Sequence, residues 1–314
     1  MPEAGAIVRP GPRVSAGPDR IAPQRRRPRW SRQLVALAYI APAGLVYVAF
    51  AIWPAIHTVR LSFLHWDGIL PATGAGLSNY TAVFTDATIG PALWHAIVLI
   101  VFFALVPCAI GLFLTALLQG GIPGMTTFRV IFFLPQILPL VAVGITWRWL
   151  YNDDGLVNEG LRGSGLGSIT RAWLGDYTFA LIALGLIGTW AMTGLCMALF
   201  LAGAQKIDVS LYEAVALDGG GPIRRFFTVT LPALRGEITI ASVITTIAAL
   251  ASFDLVFVTT NGGPVDRTTV PGLLVYRLAF NESDIGRASA LAVVLTIIVI
   301  VFVTAIRRLT REKA

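Results

Sequence analysis

The stretch Ser210-Leu-Tyr-Glu-Ala-Val-Ala-Leu-Asp-Gly-Gly-Gly-Pro-Ile-Arg-Arg-Phe-Phe-Thr-Val-Thr-Leu-Pro232 predicts two short helices joined by a sharp hinge. Ser210 and Glu213 have the spacing of a capping box, in which two side chains satisfy free backbone amides where a helix begins. The glycine run Gly219-Gly-Gly221 disfavours helix and ends the first one. Pro222 suits the first position of the second helix, because its missing N–H is not needed there.

Both short helices have an apolar face. In the first, Leu211, Ala214 and Val215 are three and four residues apart, as on one side of a helix. In the second, Ile223 and the pair Phe226-Phe227 have the same spacing. An exposed apolar face needs a cover, and a partner protein is the simplest one.

The composition is that of a membrane protein. Of the 314 residues, 56% are hydrophobic and 13% are charged, and the mean hydropathy is +0.75, values that a soluble domain rarely has. The net charge of +7 comes from arginines at the ends of apolar runs, which is typical of topology signals rather than of nucleic-acid binding. Cys108 and Cys196 lie inside apolar runs, so we expect small buried side chains, no disulfide framework and no metal site.

Six apolar runs are long enough to cross a bilayer, which takes about 20 helical residues. They lie near residues 34–56, 92–118, 130–147, 179–201, 238–258 and 288–306. Pro107 predicts a kink in the second run, and Pro135 and Pro139 interrupt the third. Irregular backbone at membrane depth is tolerated where it is buried in protein or lines a cavity.

The charges predict the orientation of these spans. Residues 1–33 are rich in Pro, Gly and Arg and are predicted to be a disordered basic segment. The tail 307–314 is also basic, and so are the two loops that six spans place on the same side. The positive-inside rule therefore puts both termini in the cytoplasm. The predicted fold is an all-α integral membrane protein with six transmembrane helices (34–306) and a two-helix cytoplasmic loop (208–236) between the fourth and fifth.

A spaced signature within this loop resembles that of the permease subunits of ATP-binding-cassette (ABC) importers. The family pattern is Glu-Ala-Ala, three residues, Gly, nine residues, Ile, one residue and Leu-Pro. Here Glu213-Ala-Val215, Asp218-Gly219 and Val229-Thr-Leu-Pro232 keep the spacing throughout. Val215 and Val229 replace Ala and Ile, which are small apolar changes.

Further segments are similar to the carbohydrate-importing branch of that family, that of the maltose and glycerol-3-phosphate permeases. The resemblance extends from about residue 34 to the C-terminus. The segments are Phe128-Arg129, Leu134-Pro135, Phe253-Asp254, Asn261-Gly-Gly-Pro264 and Gly286-Arg-Ala-Ser-Ala290.

The resemblance implies a permease of the bacterial inner membrane that pairs with a second permease to form the pore for a sugar or sugar-like solute. A soluble extracytoplasmic binding protein delivers the solute, and a cytoplasmic ATPase dimer, which binds ATP and Mg, takes the two-helix loop in a surface groove. Glu213 is expected to cap its helix, to pair with an arginine of the ATPase, or both. The residues assigned to ATPase coupling are Glu213, Ala214, Val215, Asp218, Gly219, Leu231 and Pro232.

The chain itself lacks the residues for ATP hydrolysis. A P-loop needs Gly-Lys followed by Ser or Thr, and neither lysine, Lys206 or Lys313, follows a glycine. The three histidines are scattered, and no catalytic triad or metal-ligand spacing occurs. We therefore expect no enzyme activity, no catalytic residue and no cofactor in this chain.

Four residues are candidates for the solute path. Asp254 is an ionisable group in the fifth span, where burial is costly; it lines the path, or it serves as an ion-pair or helix-end group. Trp190 could stack on a sugar ring and Thr193 could hydrogen-bond to it, although aromatics in spans more often pack or lie at the membrane interface. Phe253 precedes Asp254. Asn261-Gly-Gly-Pro264 predicts an outer turn that could touch the binding protein.

Two other classes of function are alternatives to this one. An ion-coupled secondary transporter or channel would need a coupling-ion site, for which Asp254 is the acidic candidate within the spans. A membrane scaffold without a transport role would leave the proline-broken spans and the spaced signature unexplained.

Overall fold

The computed structural model describes residue 11 and residues 29–118 and 124–310, and this part of the chain is mostly helical. Contacts divide the chain into two units, Met1–Pro54 and Ala55–Ala314. Helix α1 begins in the first unit as Arg29–Tyr47, passes through a π-helical turn at Val48–Ile52 and continues as Trp53–Leu61. Its side chains between residues 36 and 54 are almost all exposed.

The second unit contains twelve further helices within the described residues. They are α2 (Ser78–Thr85), α3 (Ile89–Leu118, with a π turn at Val101–Leu105), α4 (Met125–Ile137), α5 (Leu140–Leu150), α6 (Leu156–Gly163), α7 (Ala180–Ala204), α8 (Val209–Leu217), α9 (Pro222–Ala233, with a π turn at Phe226–Thr230), α10 (Arg235–Leu250), α11 (Phe253–Thr259), α12 (Pro271–Tyr276, followed by a π turn at Arg277–Asn281) and α13 (Ile285–Thr310). A 3-10 turn occurs at Gly167–Ile169.

A short antiparallel pair of strands precedes α2. Strand β1 (Leu64–His65) pairs with β2 (Thr73–Gly74), so that Leu64 lies opposite Gly74. Farther along the chain, Arg287 at the start of α13 forms an ion pair with Asp86, at 3.0 Å, and this links the loop after α2 to α13.

Four helices are long and apolar enough to cross a membrane: Ala36–Leu61, α3, α7 and α13. The pairs α4 with α5 and α9 with α10 pass the same test together, but they are bent by 101° and 68°. By length and composition the described residues therefore contain four spans, or up to six if each bent pair is one span.

The bend between α4 and α5 has a local cause. Leu138 separates the helices in an extended conformation, with φ −75° and ψ 137°. Pro139 follows it, and a proline disfavours helical backbone in the residue before it. The interruption predicted for the run 130–147 is therefore present as a sharp break between two helices.

The fifth predicted span is interrupted, which corrects the prediction of one continuous run over 238–258. Helix α10 ends at Leu250, and Phe253 begins a separate helix, α11. Ala251 and Ser252 between them contain neither Gly nor Pro, so no local signal marks the break. Ser252 is buried, which indicates that tertiary packing rather than local preference sets this turn.

Two predicted boundaries are also shifted. Most of the predicted disordered segment 1–33 lies outside the described residues, but helix already begins at Arg29. Helix α13 extends to Thr310, so Arg307 and Arg308 lie in its last turn. The helix dipole favours positive charges at this end of a helix. Residues 311–314 of the predicted tail lie outside the described part.

Helix α7 forms the centre of the second unit. In the most apolar 18-residue segment of α7, 67% of the residues are buried, compared with 33% in that of α3 and 17% in that of α13. Small residues permit this packing, because they let helix backbones approach closely. A Cβ atom at Gly188 would overlap the ring of the fully buried Phe103 on α3, and one at Gly194 would lie 2.1 Å from the carbonyl oxygen of Phe132 on α4.

Candidate functional site

The loop between α7 and α10 folds as two short helices, α8 and α9, and α8 has a well-defined start. Asp208 lies just before the helix with ψ 130°, and its carboxylate accepts a hydrogen bond from the backbone N–H of Ser210 at 2.9 Å. This bond holds the pKa of Asp208 below its usual value. The predicted Ser210–Glu213 capping box is therefore wrong: the backbone is already helical at Ser210, and Asp208 is the capping residue.

The end of α8 has the hydrogen bonds of a Schellman motif. Gly219 has a left-handed backbone, with φ +73°. Its N–H donates to the carbonyl oxygen of Ala216 at 3.0 Å, and the N–H of Gly220 donates to that of Val215 at 2.8 Å. A Cβ atom at Gly219 would meet nothing within 4 Å, so glycine is favoured there by the backbone angle and not by lack of space.

Helix α9 begins with Pro222 at its first position, as predicted. The hydroxyl groups of Tyr212 on α8 and Thr230 on α9 are hydrogen-bonded at 3.0 Å, which fixes the two helices against each other. Helix α9 ends at Ala233, and the chain turns by 68° into α10. The hinge and both helices thus have one defined arrangement.

The side chains of α8 that carry the signature lie on an exposed face. Glu213, Ala214, Leu217 and Asp218 are all exposed, and Leu217 is 89% exposed. In the part of the chain that the structure describes, the Glu213 carboxylate has no hydrogen bond or ion pair. Of the other signature residues, Val215, Leu231 and Pro232 are half-buried and Gly219 is exposed.

The loop is tied to the long helices at its far end. Leu234, between α9 and α10, is fully buried and packs in a cluster with Phe200 of α7. A Cβ atom at Gly203 would overlap the side chains of Leu234 and Glu237. Glu237 also pairs with Lys206, at 3.6 Å. The end of α7 and the start of α10 are therefore in close contact beside the loop.

The candidate path residues on α7 differ in exposure. Trp190 is 42% exposed and lies edge-on to Trp147 of α5, with ring centroids 5.5 Å apart. Thr193 is only 6% exposed, and its hydroxyl donates to the carbonyl oxygen of Thr189 at 2.7 Å. The Thr189 hydroxyl in turn donates to the carbonyl oxygen of Phe102 at 2.6 Å. In this conformation both hydroxyls bond to helix backbone.

Phe253 and Asp254 lie at the start of α11. Phe253 stacks on Phe257 with centroids 5.2 Å apart, and Tyr276 and Phe280 extend this aromatic row. Asp254 is exposed in the first turn of α11, where the helix dipole favours a negative charge. Within the described residues no ring contact joins this row to Trp190.

The loop after α11 is held by a polar cluster that the sequence did not reveal. Arg277 donates to the carboxylate of Asp266 and to the carbonyl oxygen of Asn261, both at 2.8 Å. The bond from Arg277 is the main cause that lowers the pKa of Asp266, and a bond from the Thr269 hydroxyl adds to it. His95 is buried, and its Nδ1–H donates to the Thr269 carbonyl oxygen at 2.8 Å.

Across residues 29–118 and 124–310, no group of three or more His, Cys, Asp or Glu side chains is placed to hold a metal ion. Cys108 and Cys196 lie with their Sγ atoms 3.7 Å apart between α3 and α7, and both are free and buried.

Comparison with known proteins places the chain among transport proteins. No protein-family model matches it. It is 33% identical over 270 residues to the probable ABC transporter permease protein YurN of Bacillus subtilis, covering 85% of this chain and 92% of that protein. It is 33% identical over 283 residues to the sulfoquinovosyl glycerol transport system permease protein SmoG of Agrobacterium fabrum, covering 87% and 91%.

The diacetylchitobiose uptake system permease protein NgcF of Streptomyces coelicolor is 32% identical over 310 residues, covering 95% of this chain and 87% of that protein. A crystal structure of a bacterial ABC transporter involved in alginate import shares the fold, with a TM-score of 0.76 at 19% identity over 90% of this chain and 97% of that one. Identity of 32–33% over at least 85% of its length shows that this multi-pass membrane chain belongs to the family of ABC transporter permease proteins that includes these uptake subunits.

Proposed function

We propose that this chain forms half of the translocation pore of a bacterial importer for a sugar or sugar-like solute, and that its two-helix loop (208–236) docks on a cytoplasmic ATPase. The observation that carries the proposal is the exposed face of α8, where the side chains of Glu213, Ala214, Leu217 and Asp218 have no partner in the described residues. Relatives that serve sulfoquinovosyl glycerol and diacetylchitobiose systems support a carbohydrate-type solute.

The loop suits a docking role because it is both amphipathic and stiff. The Schellman turn at Gly219 and the bond between Tyr212 and Thr230 fix the angle between α8 and α9. An amphipathic helix laid in a groove is a common recognition mode. Leu217 offers an apolar anchor, and Glu213 offers a carboxylate for a basic residue of the partner.

The membrane topology that we propose has six spans with both termini in the cytoplasm. Four spans are the long helices, the third is the broken pair α4 and α5, and the fifth is α10 continued by α11. Helix α9 is left out of the fifth span because it carries Arg224 and Arg225, whose insertion is costly. This arrangement places the two-helix loop and the basic end of α13 on the cytoplasmic side, as the positive-inside rule favours.

The partners follow from the same proposal. A second permease completes the pore, and a binding protein delivers the solute from outside. The binding protein is supported by a structure of similar fold, the bacterial alginate ABC transporter in complex with a periplasmic protein. ATP and Mg bind to the ATPase dimer, because this sequence contains no P-loop. This chain then acts as a permease and not as an enzyme.

For the solute path we propose Trp190, Phe253 and Asp254 as lining residues. Trp190 is partly exposed, and an aromatic ring can stack on the apolar face of a sugar. Phe253 starts an aromatic row and Asp254 is an exposed carboxylate that can accept hydroxyl hydrogen bonds. Thr193, a candidate from the sequence, is left out of this proposed lining, because its side chain is buried and its hydroxyl bonds within α7.

Docking is tested by purifying the tagged chain from its own bacterium in mild detergent and quantifying the co-purified ATPase by mass spectrometry. We expect Glu213→Gln and Gly219→Val to lower both ATPase recovery and transport. Glu159→Gln is the matched control, because Glu159 is an exposed carboxylate on α6, on the proposed outer side. Unchanged recovery and transport in both loop variants would contradict the docking role.

Topology is tested with single cysteines and a membrane-impermeant maleimide in right-side-out vesicles, in a background where Cys108 and Cys196 are replaced by Ser. We expect a cysteine at Glu159 to react directly and one at Asp218 to react only after the membrane is permeabilised. Labelling of both before permeabilisation, or of Asp218 alone, would refute the six-span arrangement.

A further inference from the structure

An open apolar groove lies beside the two-helix loop. It has a volume of about 1180 Å³ and is formed by the last turns of α3, the end of α7 and the inner sides of α8 and α9. Residues of α3 that line it include Leu112, Phe113 and Leu117, and Phe226 and Phe227 line it from α9. The signature side chains Glu213 and Leu217 on α8 do not line the groove, whereas Leu231, at the end of α9, does.

The groove walls are mostly apolar, and several of these side chains are exposed in the part of the chain that the structure describes. Phe113 is 63% exposed and Phe227 is 60% exposed. Exposed apolar side chains at the end of a membrane span contact lipid acyl chains or another helix. On α3 the exposed side chains Leu105, Phe113 and Leu117 are eight and four residues apart and so lie on one face of the helix. The exposed strip therefore continues beyond the groove along α3.

Among the described residues, one charged side chain lines this mostly apolar groove. Arg225 is half-buried, and its Nε donates a long hydrogen bond of 3.3 Å to the carbonyl oxygen of Gly220. No acid in the described residues pairs with its guanidinium. The groove therefore favours an occupant that combines a long apolar body with a negative head.

Two other occupants fit these charges less well. The N-terminal residues 1–28 of this chain are rich in arginine and would bring like charges to Arg225. A second permease would have to offer an acidic group beside an apolar ridge. A phospholipid with an anionic headgroup meets both requirements, and basic pockets on the cytoplasmic side of membrane proteins bind such headgroups.

We propose that this groove binds an anionic phospholipid, with an acyl chain between α3 and α9 and the phosphate at Arg225. The inference rests on the proposed topology, which places the groove at the cytoplasmic surface of the bilayer. A lipid in this position lies directly behind the docking loop and supports it against α3. Transport is then expected to depend on anionic lipid even though the ATPase docks on the opposite face of α8.

The test uses the complete importer purified from its own bacterium. Phosphatidylglycerol retained by the complex is measured by native mass spectrometry, and the complex is then reconstituted in vesicles of phosphatidylcholine alone or mixed with phosphatidylglycerol. We expect Arg225→Gln to lower retained phosphatidylglycerol about tenfold, because a hydrogen bond to a charged group is lost. Ala116→Trp should do the same, because Ala116 lines the groove and the larger side chain would fill the space of the acyl chain. This variant changes no charge.

Two variants serve as matched controls. Arg224→Gln removes a neighbouring arginine that does not line the groove, and Leu105→Trp adds bulk to the exposed face of α3 outside it. Both should retain wild-type lipid. Wild-type complex should also transport faster in the mixed vesicles than in phosphatidylcholine alone.

The outcomes separate this proposal from the proposed function. The lipid site is overturned if Arg225→Gln and Ala116→Trp retain as much lipid as wild type. It is also overturned if these variants keep the lipid but lose the second permease from the complex. In both cases the ATPase docking proposal stands. Equal transport in both vesicle types overturns the proposed dependence. Failure of ATPase co-purification in wild-type complex would instead overturn the docking proposal, whatever the lipid content.

Discussion

Replacing Gly194 with alanine tests how α4 is held against α7. A Cβ atom at Gly194 would lie 2.1 Å from the carbonyl oxygen of Phe132 and 2.8 Å from the Cα of Phe133. Both obstacles are backbone atoms, so no side-chain rotation relieves the overlap. The absence of a side chain at Gly194 is therefore what lets the two helices approach so closely.

The cost can be estimated from two opposing terms. To reach ordinary contact distance the helices must separate by roughly 1 Å, which loosens neighbouring contacts as well. Overpacking of this kind costs about 1–3 kcal/mol. Alanine recovers about 0.5–1 kcal/mol because glycine is less favourable than alanine inside a helix. Because both obstacles are backbone atoms, the overpacking cost falls in the upper part of its range, about 2–3 kcal/mol, and the net destabilisation expected for Gly194→Ala is about 1–2.5 kcal/mol.

The assay is thermal unfolding of the purified permease in one detergent, followed by circular dichroism and by recovery of monodisperse protein. Gly90→Ala is the matched control, because Gly90 lies in α3 and a Cβ atom there meets nothing within 4 Å. We expect Gly194→Ala to melt below wild type and Gly90→Ala to melt at or slightly above it. If Gly194→Ala is as stable as the control, the close approach of α4 and α7 is incorrect.

Three further predictions follow from single contacts. Asp208→Ala removes the cap of α8 and should destabilise that helix by about 1 kcal/mol, seen as faster hydrogen exchange confined to the loop; unchanged exchange would contradict the capping role. Asp266→Asn should lower the melting temperature at neutral pH. Arg277 holds the pKa of Asp266 below the usual 3.8, so the stability it adds is present above that value and lost as pH falls through the lower folded pKa; melting curves of variant and wild type should converge in acid, and parallel curves would refute this. Copper phenanthroline should join Cys108 to Cys196, whose sulfurs are 3.7 Å apart, as one linked peptide pair by mass spectrometry; a lack of linkage would contradict the packing of α3 on α7.

The hinge of the two-helix loop was predictable because its signals are local. Gly219 adopts a backbone angle that other residues avoid, and Pro222 can begin a helix but not continue one. Neither effect needs a partner elsewhere in the chain. Pro139 likewise acts on its immediate neighbour, Leu138, and so the break in the third span could be placed from the sequence.

The start of α8 shows where local signals become ambiguous. Asp208 and Ser210 are both good capping residues, and only the position of the first helical residue decides between them. The capping-box spacing favoured Ser210, although Asp208 fills the role. Placing the start of the helix two residues too late was enough to assign Glu213 a capping role that it does not have.

Other features depend on contacts that sequence order hides. Helix α7 is apolar on nearly all sides, so periodicity could not tell that Thr193 is buried while Trp190 is exposed. The break between α10 and α11 has no Gly or Pro to mark it. The ion pair of Arg287 with Asp86 joins residues 201 positions apart, and no spacing rule reaches so far.

The packing around Leu234 indicates how movement of the docked loop would be transmitted to the proposed pore. Helix α7 leads into α8, and α10 leaves α9 at Leu234, where Gly203 and Glu237 hold the two long helices together. Under the proposed docking, a push on the loop would therefore act on α7 and α10 together. Trp190 lies fourteen residues before Ala204 on α7, about 21 Å along the helix axis. A tilt of roughly 10° about the loop end would move Trp190 by about 4 Å, whereas its neighbour Trp147 lies on α5, beyond the break after α4. If Trp190 lines the solute path as proposed, its contact with Trp147 is where motion of the loop would change the shape of that path.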